Sequence, residues 1–299
     1  MKKISFIVLF IITFTAGYLI DKSYRYFSNP LVSVVLPTYN RADLLPAAIE
    51  SILNQTYQNF ELIIVDDGST DNTTELLNAY RQKDKRVKII RSFENRGISY
   101  ARNQGNITAR GKYIAVMDSD DISLPDRLKK QVAFMEENPD VTVAGSWKQE
   151  LDSGIVWKRS TDREEILFTM HFDNIMGHPE TIMRRDFLVK HNIRYNEKLI
   201  SAVDYDLFKK IIFAGGKLAR HPETVLLYRM HTENGKKYYL AQAFARRLIS
   251  KEFLKKYDIK WNGDSQPTCA LVEEMIKNNA KAGWLTNEFL QKKKRHLCR

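Results

Sequence analysis

Cysteine is scarce in this chain of 299 residues, which contains only Cys269 and Cys298. The two residues lack metal-ligand spacing, and two cysteines do not make the framework of a disulfide-stapled scaffold. We therefore predict neither a cysteine metal site nor a disulfide framework. Such sparing use of cysteine fits a reducing compartment.

Signals for nucleic-acid binding are also missing. The net charge of +11 favours anionic partners such as nucleotides, phosphates, anionic lipids or nucleic acid. The basic residues are not interleaved with aromatic residues, however, and no recognised nucleic-acid-binding module occurs. We predict no nucleic-acid partner, and a non-catalytic basic nucleic-acid-binding protein stays as an alternative from a different functional class.

Long hydrophobic runs are limited to one, over residues 4–20, which carries no charged side chain. Its length is at the short end of what spans a bilayer. We predict an uncleaved single-pass N-terminal transmembrane segment, because the apolar run continues past the small residues near Gly17 where a signal peptidase would cut. A cleaved signal peptide is the alternative. The orientation stays open, because basic residues flank both ends of the run: Lys2, Lys3, Lys22 and Arg25.

Short apolar runs alternate with helical patterns in the first half of the chain. The runs cover residues 31–37, 60–65, 87–90 and 113–117. This alternation predicts an α/β fold with a mostly parallel central sheet and helices on both faces. The predicted parts are a membrane anchor and linker, one main domain, and a helical basic C-terminal region, over residues 1–30, 31–235 and 236–299.

Unusual residues follow three of these four strands. Tyr39 follows the first, Asp66 and Asp67 follow the second, and Asp118 and Asp120 follow the fourth. Because the carboxyl ends of parallel strands share one edge of a sheet, these side chains can meet in one crevice. An aromatic ring can stack on a base, and a carboxylate at 66 or 67 can accept a hydrogen bond from a base or a ribose. The Asp-x-Asp pair offers hard oxygen ligands for Mg²⁺ or Mn²⁺ carrying a diphosphate.

An isolated Asp-x-Asp is more often a solvated turn than a site. Here it stands with three further segments, at residues 34–41 (VVLPTYNR), 60–71 (FELIIVDDGSTD) and 95–105 (NRGISYARNQG), and is itself part of 113–121 (YIAVMDSDD). Together they resemble the inverting family 2 nucleotide-sugar glycosyltransferases, which have the GT-A fold. The resemblance is dense over residues 32–147 and looser to about residue 235.

The resemblance implies a division of labour within the main domain. A nucleotide-sugar half (about 31–147) would bind the donor, and an acceptor half (about 148–235) would follow. Asp118 and Asp120 would hold Mn²⁺ or Mg²⁺. The nucleoside would be bound by Pro37, Tyr39 and Asp67, with Arg102 near the donor phosphates or the base.

The resemblance also implies a catalytic base in the acceptor half. Asp204, before Tyr205-Asp206-Leu207, matches the base position, although Val203 stands where the family usually has Glu. Asp206 is the alternative base. Three further residues match motifs placed near the diphosphate or the acceptor: His178, Arg229 and His231.

The predicted activity is therefore metal-dependent, inverting transfer of a sugar from a nucleotide-diphosphate sugar, with UDP as the expected nucleotide, to an acceptor hydroxyl. A carbohydrate or lipid-linked acceptor, and a role in surface glycan or glycolipid synthesis, would suit an anchored enzyme. The catalytic domain would face the cytoplasm in a bacterium and the Golgi lumen in a eukaryote.

Two other enzyme-like interpretations compete with this one. A nucleotidyltransferase would also use a nucleotide crevice and a carboxylate-bound metal, but the chain has Pro-Thr-Tyr-Asn where such enzymes carry a Gly-rich phosphate loop. A non-catalytic relative is disfavoured by the intact Asp118 and Asp120 pair.

The basic run at residues 292–295 is typical either of a solvated helix or of one that lies on an anionic membrane.

Overall fold

The computed structural model describes residues 29–230, 236–255, 269–282 and 285–298. The predicted N-terminal transmembrane segment and His231 lie outside these ranges. Among the helices within them, none is both long enough and apolar enough to cross a membrane.

Strands and helices alternate through the first half and become irregular afterwards. The strands are β1 (Val32–Thr38), β2 (Phe60–Asp66), β3 (Val87–Arg91), β4 (Tyr113–Val116), β5 (Ile122–Ser123), β6 (Val141–Glu150), β7 (Val156–Trp157), β8 (Ile182–Arg184) and β9 (Lys217–Tyr228). The helices are α1 (Leu45–Leu53), α2 (Thr73–Lys83), α3 (Ile98–Thr108), α4 (Arg127–Glu137), α5 (Arg163–Thr169), α6 (Arg185–Lys190), α7 (Val203–Phe213), α8 (Lys236–Lys255), α9 (Cys269–Ala282) and α10 (Asn287–Leu297).

All nine strands belong to one sheet, in which β7 pairs with β6 beside the main order β3-β2-β1-β4-β8-β6-β9-β5. The strands β3, β2, β1 and β4 are parallel to one another, as predicted for the first half. The prediction of a mostly parallel sheet is wrong for the second half. There β8 is antiparallel to both β4 and β6, and β5 is antiparallel to β9, while β6 and β9 are parallel.

Both faces of the parallel strands are covered by helices. On one face, Val34 and Leu36 of β1 join a buried cluster with Ile49 of α1. On the other face, Val35 of β1 joins a second cluster with Phe208 of α7. Strands buried on both faces have no polar alternation, which is why their sequences are continuous apolar runs.

Gly105 fixes the distance between α3 and the sheet. A Cβ placed on Gly105 would lie 2.3 Å from Cγ1 of Val35. Only glycine therefore lets α3 approach β1 this closely. The consequence is functional, because Arg102 lies on the same helix, one turn earlier.

A buried carboxylate links neighbouring strands near the start of β2, at the amino end of the parallel strands. Glu61 accepts hydrogen bonds from Ser33 Oγ at 2.6 Å and from the backbone N–H of Arg110 at 2.8 Å, and it pairs with Lys88. Burial alone would raise the pKa of the Glu61 carboxyl, but these hydrogen bonds from Lys88, Ser33 and Arg110 lower it below its ordinary value.

Replacing Glu61 with Gln is expected to lower the free energy of unfolding at pH 7 by about 2 kcal/mol, because hydrogen bonds to a charged group are lost. Because the folded-state pKa is lowered, this contribution is complete above the unfolded-state pKa of about 4.3 and is lost as the pH falls through the folded-state value. Urea unfolding of both proteins from pH 7 to pH 3 should show the difference shrinking at the acid end. A constant difference would contradict this account.

The C-terminal helices pack on the main domain. Phe289 and Leu290 of α10 are buried with Phe168 and Phe172, at and just after α5. The apolar side of α10 is therefore used within the fold, while Lys292 and Arg295 face solvent. This arrangement favours the solvated-helix interpretation of the basic run over insertion of its apolar neighbours into a membrane.

The prediction of no disulfide is wrong, because Cys269 and Cys298 are bonded to each other. The helices α9 and α10 pack side by side and bring the start of one next to the end of the other, with Cα atoms 5.1 Å apart. The separation of 29 residues gave no sign of this contact. The inference of a reducing compartment from cysteine usage therefore loses its basis.

Candidate active site

A cavity of about 490 Å³ opens at the carboxyl edge of β1, β2 and β4. Six of the predicted site residues line it together: Pro37, Tyr39, Asp67, Arg102, Asp118 and Asp120. They come from three strand ends and from α3, so the parallel half of the sheet brings them together. Polar and apolar groups are mixed in this lining, which suits a ligand that carries both a base and charged groups.

The loop after β1 carries Tyr39, whose side chain is 42% exposed. The next residue, Asn40, has a φ of 49°, in the left-handed region. Its backbone N–H donates to Ser69 Oγ at 2.9 Å, and its side-chain oxygen accepts from the backbone N–H of Thr70 at 2.8 Å. The loops after β1 and β2 are thus joined, and the ring of Tyr39 stays at the cavity wall.

The two carboxylates after β2 have different surroundings. Asp66 points into its own loop, where it accepts from the backbone N–H of Ser69 at 2.9 Å. Asp67 faces the cavity and accepts from the backbone N–H groups of Arg96 at 3.1 Å and Gly97 at 2.7 Å. Of the two positions, Asp67 lines the cavity and Asp66 does not.

Gly68 makes the approach of this second loop possible. It has a φ of 79°, and an added Cβ would lie 2.6 Å from the carbonyl carbon of Glu94. The turn that holds the N-terminus of α3 therefore rests directly on residue 68. This contact explains why Asp67 can reach the backbone of Arg96 and Gly97.

The acidic loop after β4 brings Asp118 and Asp120 to the cavity, each partly exposed. Asp118 Oδ1 accepts from Nη2 of Arg102 at 2.8 Å, and Arg41 lies 4.0 Å from Asp120. Positive charge therefore already balances these carboxylates. Among the described residues, no cluster of three or more His, Cys, Asp or Glu side chains is placed to hold a metal.

Two carboxylates fit Mn²⁺ or Mg²⁺ nonetheless. Mg²⁺ usually keeps several waters and binds one or two carboxylates together with substrate phosphates, not a complete protein cage. Asp118 and Asp120 supply those carboxylates at the wall of a cavity that has room for a diphosphate. The donor set is all oxygen, as these hard cations prefer.

Asp121 supports the acidic loop from beneath. Its Oδ1 accepts from the backbone N–H of Arg229 at 2.9 Å, and Nε of Arg229 donates to the carbonyl of Asp120 at 3.1 Å. Burial raises the pKa of Asp121 to about 8, with further increases from the nearby charges of Asp118 and Asp120. Arg229 thus holds the shape of the loop from the end of β9.

Arg127 is fully buried below the same loop, and no motif in the sequence indicates its role. Its guanidinium donates to the carbonyl of Val116, to Ser123 Oγ at 3.0 Å and to Gln131 Oε1 at 3.2 Å. Burial lowers the pKa of Arg127 to about 10, while Glu180 and Asp121 act in the opposite direction. In the sequence it resembles an ordinary residue in the first turn of a surface helix.

The predicted base, Asp204, lies in the first turn of α7 next to Arg102. Its Oδ2 accepts from Nδ2 of Asn174 at 2.8 Å. Burial raises the pKa of the Asp204 carboxyl, and the charge of Arg102 offsets part of that rise. Asp204 is not part of the cavity wall itself, but it borders it through Arg102.

Asp206, the alternative base, has different partners. It pairs with Lys210 at 2.7 Å and Lys209 at 3.6 Å. It lines a separate groove with Leu248 and Glu252. The local geometry therefore favours Asp204 over Asp206 as the carboxylate that serves the donor cavity.

His178 contacts the site indirectly. It is buried, and its Nε2 lies 2.8 Å from the hydroxyl of Tyr195, whose ring is 5.7 Å from the guanidinium of Arg102. Burial lowers the pKa of His178 well below its ordinary value, which keeps the ring neutral. His178 therefore packs behind the cavity and not in its wall.

Asn103 positions Tyr195, which lies with His178 behind the cavity wall. Its side chain donates to the carbonyl of Tyr195 at 3.0 Å and accepts from the backbone N–H of the same residue at 2.9 Å. Asn103 and Tyr195 were not predicted as site residues. Asn103 stands in the 95–105 motif beside Arg102, and that position is the only sequence signal that pointed to it.

The family model for glycosyl transferase family 2 matches residues 33–200. A glycosyltransferase of Methanocaldococcus jannaschii is 37% identical over 236 residues, which cover 77% of this chain and 80% of the relative. Glycosyltransferase GlyG of Streptococcus pneumoniae is 30% identical over 241 residues, which cover 79% and 77%.

Solved structures show the same α/β fold, of GT-A type, with a mixed curled sheet. A part of Staphylococcus aureus TarS in complex with UDP has a TM-score of 0.58 and 19% identity, covering 88% of this chain and 87% of that one. The mannosyltransferase PcManGT of Pyrobaculum calidifontis, in complex with GDP-Man and Mn²⁺, has a TM-score of 0.59 and 19% identity, covering 96% and 90%. At these identities the likeness concerns the fold.

Proposed function

Because the chain belongs to glycosyltransferase family 2 and is therefore a glycosyltransferase, we propose that it transfers a sugar from a UDP-sugar to an acceptor hydroxyl, with Mn²⁺ or Mg²⁺ and with inversion at the anomeric carbon. The observation that carries the proposal is the single cavity lined by Tyr39, Asp67, Arg102, Asp118 and Asp120. Each of these side chains matches one part of a nucleotide-diphosphate sugar.

The nucleoside end of the donor is assigned to the β1 and β2 loops. The ring of Tyr39 would stack on the base, and Pro37 would pack beside it. Asp67 would accept from the base or the ribose with the lone pairs that its backbone partners leave free. The TarS structure contains UDP and the PcManGT structure contains GDP-Man, so a nucleotide donor is in keeping with these neighbours.

The diphosphate end is assigned to the acidic loop and α3. Asp118 and Asp120 would hold the divalent cation, which when bound offsets the charge that develops on the departing diphosphate. Arg102 lies next to Asp118 and would place a fixed positive charge beside the same oxygens. Arg229 and Asp121 keep the loop in position for these contacts.

Asp204 is assigned as the base that takes the proton from the acceptor hydroxyl. A carboxylate with a raised pKa is a better base than an exposed one, and the Asn174 amide orients it. One base and one displacement suffice for inversion, so no protein nucleophile is required. Surface glycan or glycolipid synthesis, with a carbohydrate or lipid-linked acceptor and membrane attachment through residues 4–20, completes the proposal.

Replacing Tyr39 with Ala is expected to weaken UDP binding about 5- to 150-fold, because stacking of an aromatic ring on a base contributes about 1–3 kcal/mol. Tyr39→Phe is the matched control, since it keeps the ring and should bind UDP nearly as the wild type does. Calorimetric titration of UDP with MnCl₂ present measures both. Equal UDP affinity in Tyr39→Ala and the wild type would show that the base does not stack on Tyr39.

A further inference from the structure

A cluster of aromatic and cationic side chains lies at the end of the β6, β7 and β9 ribbon. We call Lys148, Trp157, Arg159 and Tyr228 the cationic aromatic patch. In the strand register, Lys148 is opposite both Trp157 of β7 and Leu226 of β9. Because Tyr228 is two residues beyond Leu226, its side chain leaves the sheet on the same face as those of Lys148 and Trp157.

The patch carries two positive charges close to its rings. Nζ of Lys148 lies 3.8 Å from the ring centre of Tyr228 and 5.5 Å from that of Trp157. The guanidinium carbon of Arg159 also lies 5.5 Å from the Trp157 ring. Neither cation has a carboxylate within salt-bridge distance among the residues that the structure describes.

The ring of Trp157 is held in place and remains partly exposed. Its Nε1 donates to Glu150 Oε1 at 2.9 Å, which places one carboxylate at the edge of the patch, and Trp157 as a whole is half-buried. The indole is held by a hydrogen bond and partly exposed, and it lies next to cations without carboxylate partners. Such a surface is suited to bind a ligand. The apolar ring face suits the C–H face of a sugar, and cations without a carboxylate partner suit an anionic group.

The patch is continuous with the acidic loop. In the antiparallel pairing of β5 with β9, Ile122 is opposite Leu227, so Tyr228 comes beside Asp121. The next residue, Arg229, binds that loop directly. None of the four patch residues is among the described residues that line the donor cavity.

We propose that the cationic aromatic patch is an acceptor subsite that stacks a sugar ring on Trp157 and binds a phosphate or carboxylate of the same glycan through Lys148 and Arg159. The proposal rests on the proposed function and adds the substrate class, an anionic glycan. A neutral glycan would leave both cations without a partner. Arginine in particular matches the planar arrangement of two oxygens on a carboxylate or phosphate.

Binding to defined glycans tests this assignment without turnover. The carboxylate arm compares trigalacturonate with its full methyl ester, and the phosphate arm compares maltotriose 6-phosphate with maltotriose. Each is titrated into the full-length protein with UDP and MnCl₂ present. We expect at least one charged probe to bind tenfold or more tightly than its neutral counterpart, and the arm that does so identifies the anion.

The variants separate the charge from the ring. Lys148→Met should reduce the tenfold preference for the charged probe, because Arg159 is then the remaining cation of the patch, and Trp157→Ala should weaken both members of the pair at least fivefold. Lys158→Met is the matched control, because Lys158 lies over a different ring, 5.4 Å from the centre of Trp147. It should bind as the wild type does, and thermal unfolding of each variant checks that the fold is intact.

Equal binding of charged and neutral probes, no binding of either charged probe, or an unchanged preference in Lys148→Met would each overturn the subsite. Hydrolysis of the donor is measured separately. A raised KM for the donor in Lys148→Met would assign Lys148 to the donor and so also overturn it. If the wild type does not hydrolyse the donor, the proposed function itself is wrong. If it hydrolyses the donor but shows one of the results above, only the acceptor subsite is wrong.

Discussion

Replacing Asp204 with Asn is expected to reduce sugar transfer by about 10²- to 10⁴-fold, the usual contribution of a general base. The amide keeps the shape of the carboxylate and its contact with Asn174 but cannot take a proton. Donor binding should be unchanged, because Asp204 is outside the wall of the donor cavity. Initial rates of transfer and the affinity for UDP measure the two effects separately.

Asp206→Asn is the matched control, since Asp206 lies two residues further along the same helix and pairs with Lys209 and Lys210. It should retain the rate of transfer. The pH profile adds a second criterion. Because the pKa of Asp204 is raised, the wild-type rate should begin to fall at a pH above that of an ordinary aspartate as the solution is acidified. Unchanged turnover in Asp204→Asn would refute the assignment.

Replacing Asp120 with Ala is expected to weaken metal-dependent donor binding by about 100-fold or more, because even the loss of a residue that only supports a metal ligand costs 10- to 100-fold in metal affinity. Removing Asp120 leaves Asp118 paired with Arg102, and an arginine cannot replace a divalent cation at a diphosphate. Titration of UDP with MnCl₂ and then with EDTA gives the metal-dependent part directly.

Asp152→Ala provides the comparison, because Asp152 is an exposed carboxylate in the β6–β7 turn, away from the cavity. It should show the wild-type difference between MnCl₂ and EDTA. If Asp120→Ala also keeps that difference, the cation is held elsewhere and the role of the acidic loop is wrong.

The parallel half of the fold was predictable from the sequence because its strands are buried on both faces. Such strands appear as apolar runs between helices, as residues 113–117 do and as residues 60–65 do apart from Glu61. The second half gave no such signal. Its strand β9 begins at Lys217, whereas its continuous apolar run begins only at Val225, since pairing with β6 holds the polar segment around Arg220 extended. The two-residue strand β5 exists only through its pairing with β9.

The start of the helix that carries Asp204 is also not predictable from the sequence. Its apolar pattern suggests a start at Asp206, but α7 begins at Val203. Ala202 before it has a φ of 54°, a conformation that the sequence does not signal because glycine is the residue expected there. The earlier start puts Asp204 on the first turn, next to Arg102.

The residues of the cavity wall were found because they follow strands, where a change from apolar to polar is visible. Tyr39, Asp67, Asp118 and Asp120 all have that signal. The supporting layer does not: Arg127 and Tyr195 gain their roles only from contacts across the fold, with Ser123 and with His178. The disulfide escaped prediction for the same reason, since it depends on how two helices pack.

Release of nucleotide diphosphate from a panel of UDP- and GDP-sugars by the purified full-length protein tests the central claim most directly. Each donor is incubated with MnCl₂, with EDTA, and with the Asp120→Ala protein in MnCl₂. We expect one UDP-sugar to be hydrolysed slowly with MnCl₂ and not with EDTA, and not by the variant. Hydrolysis of no donor, or hydrolysis that persists in EDTA, would contradict a metal-dependent nucleotide-sugar site in this cavity.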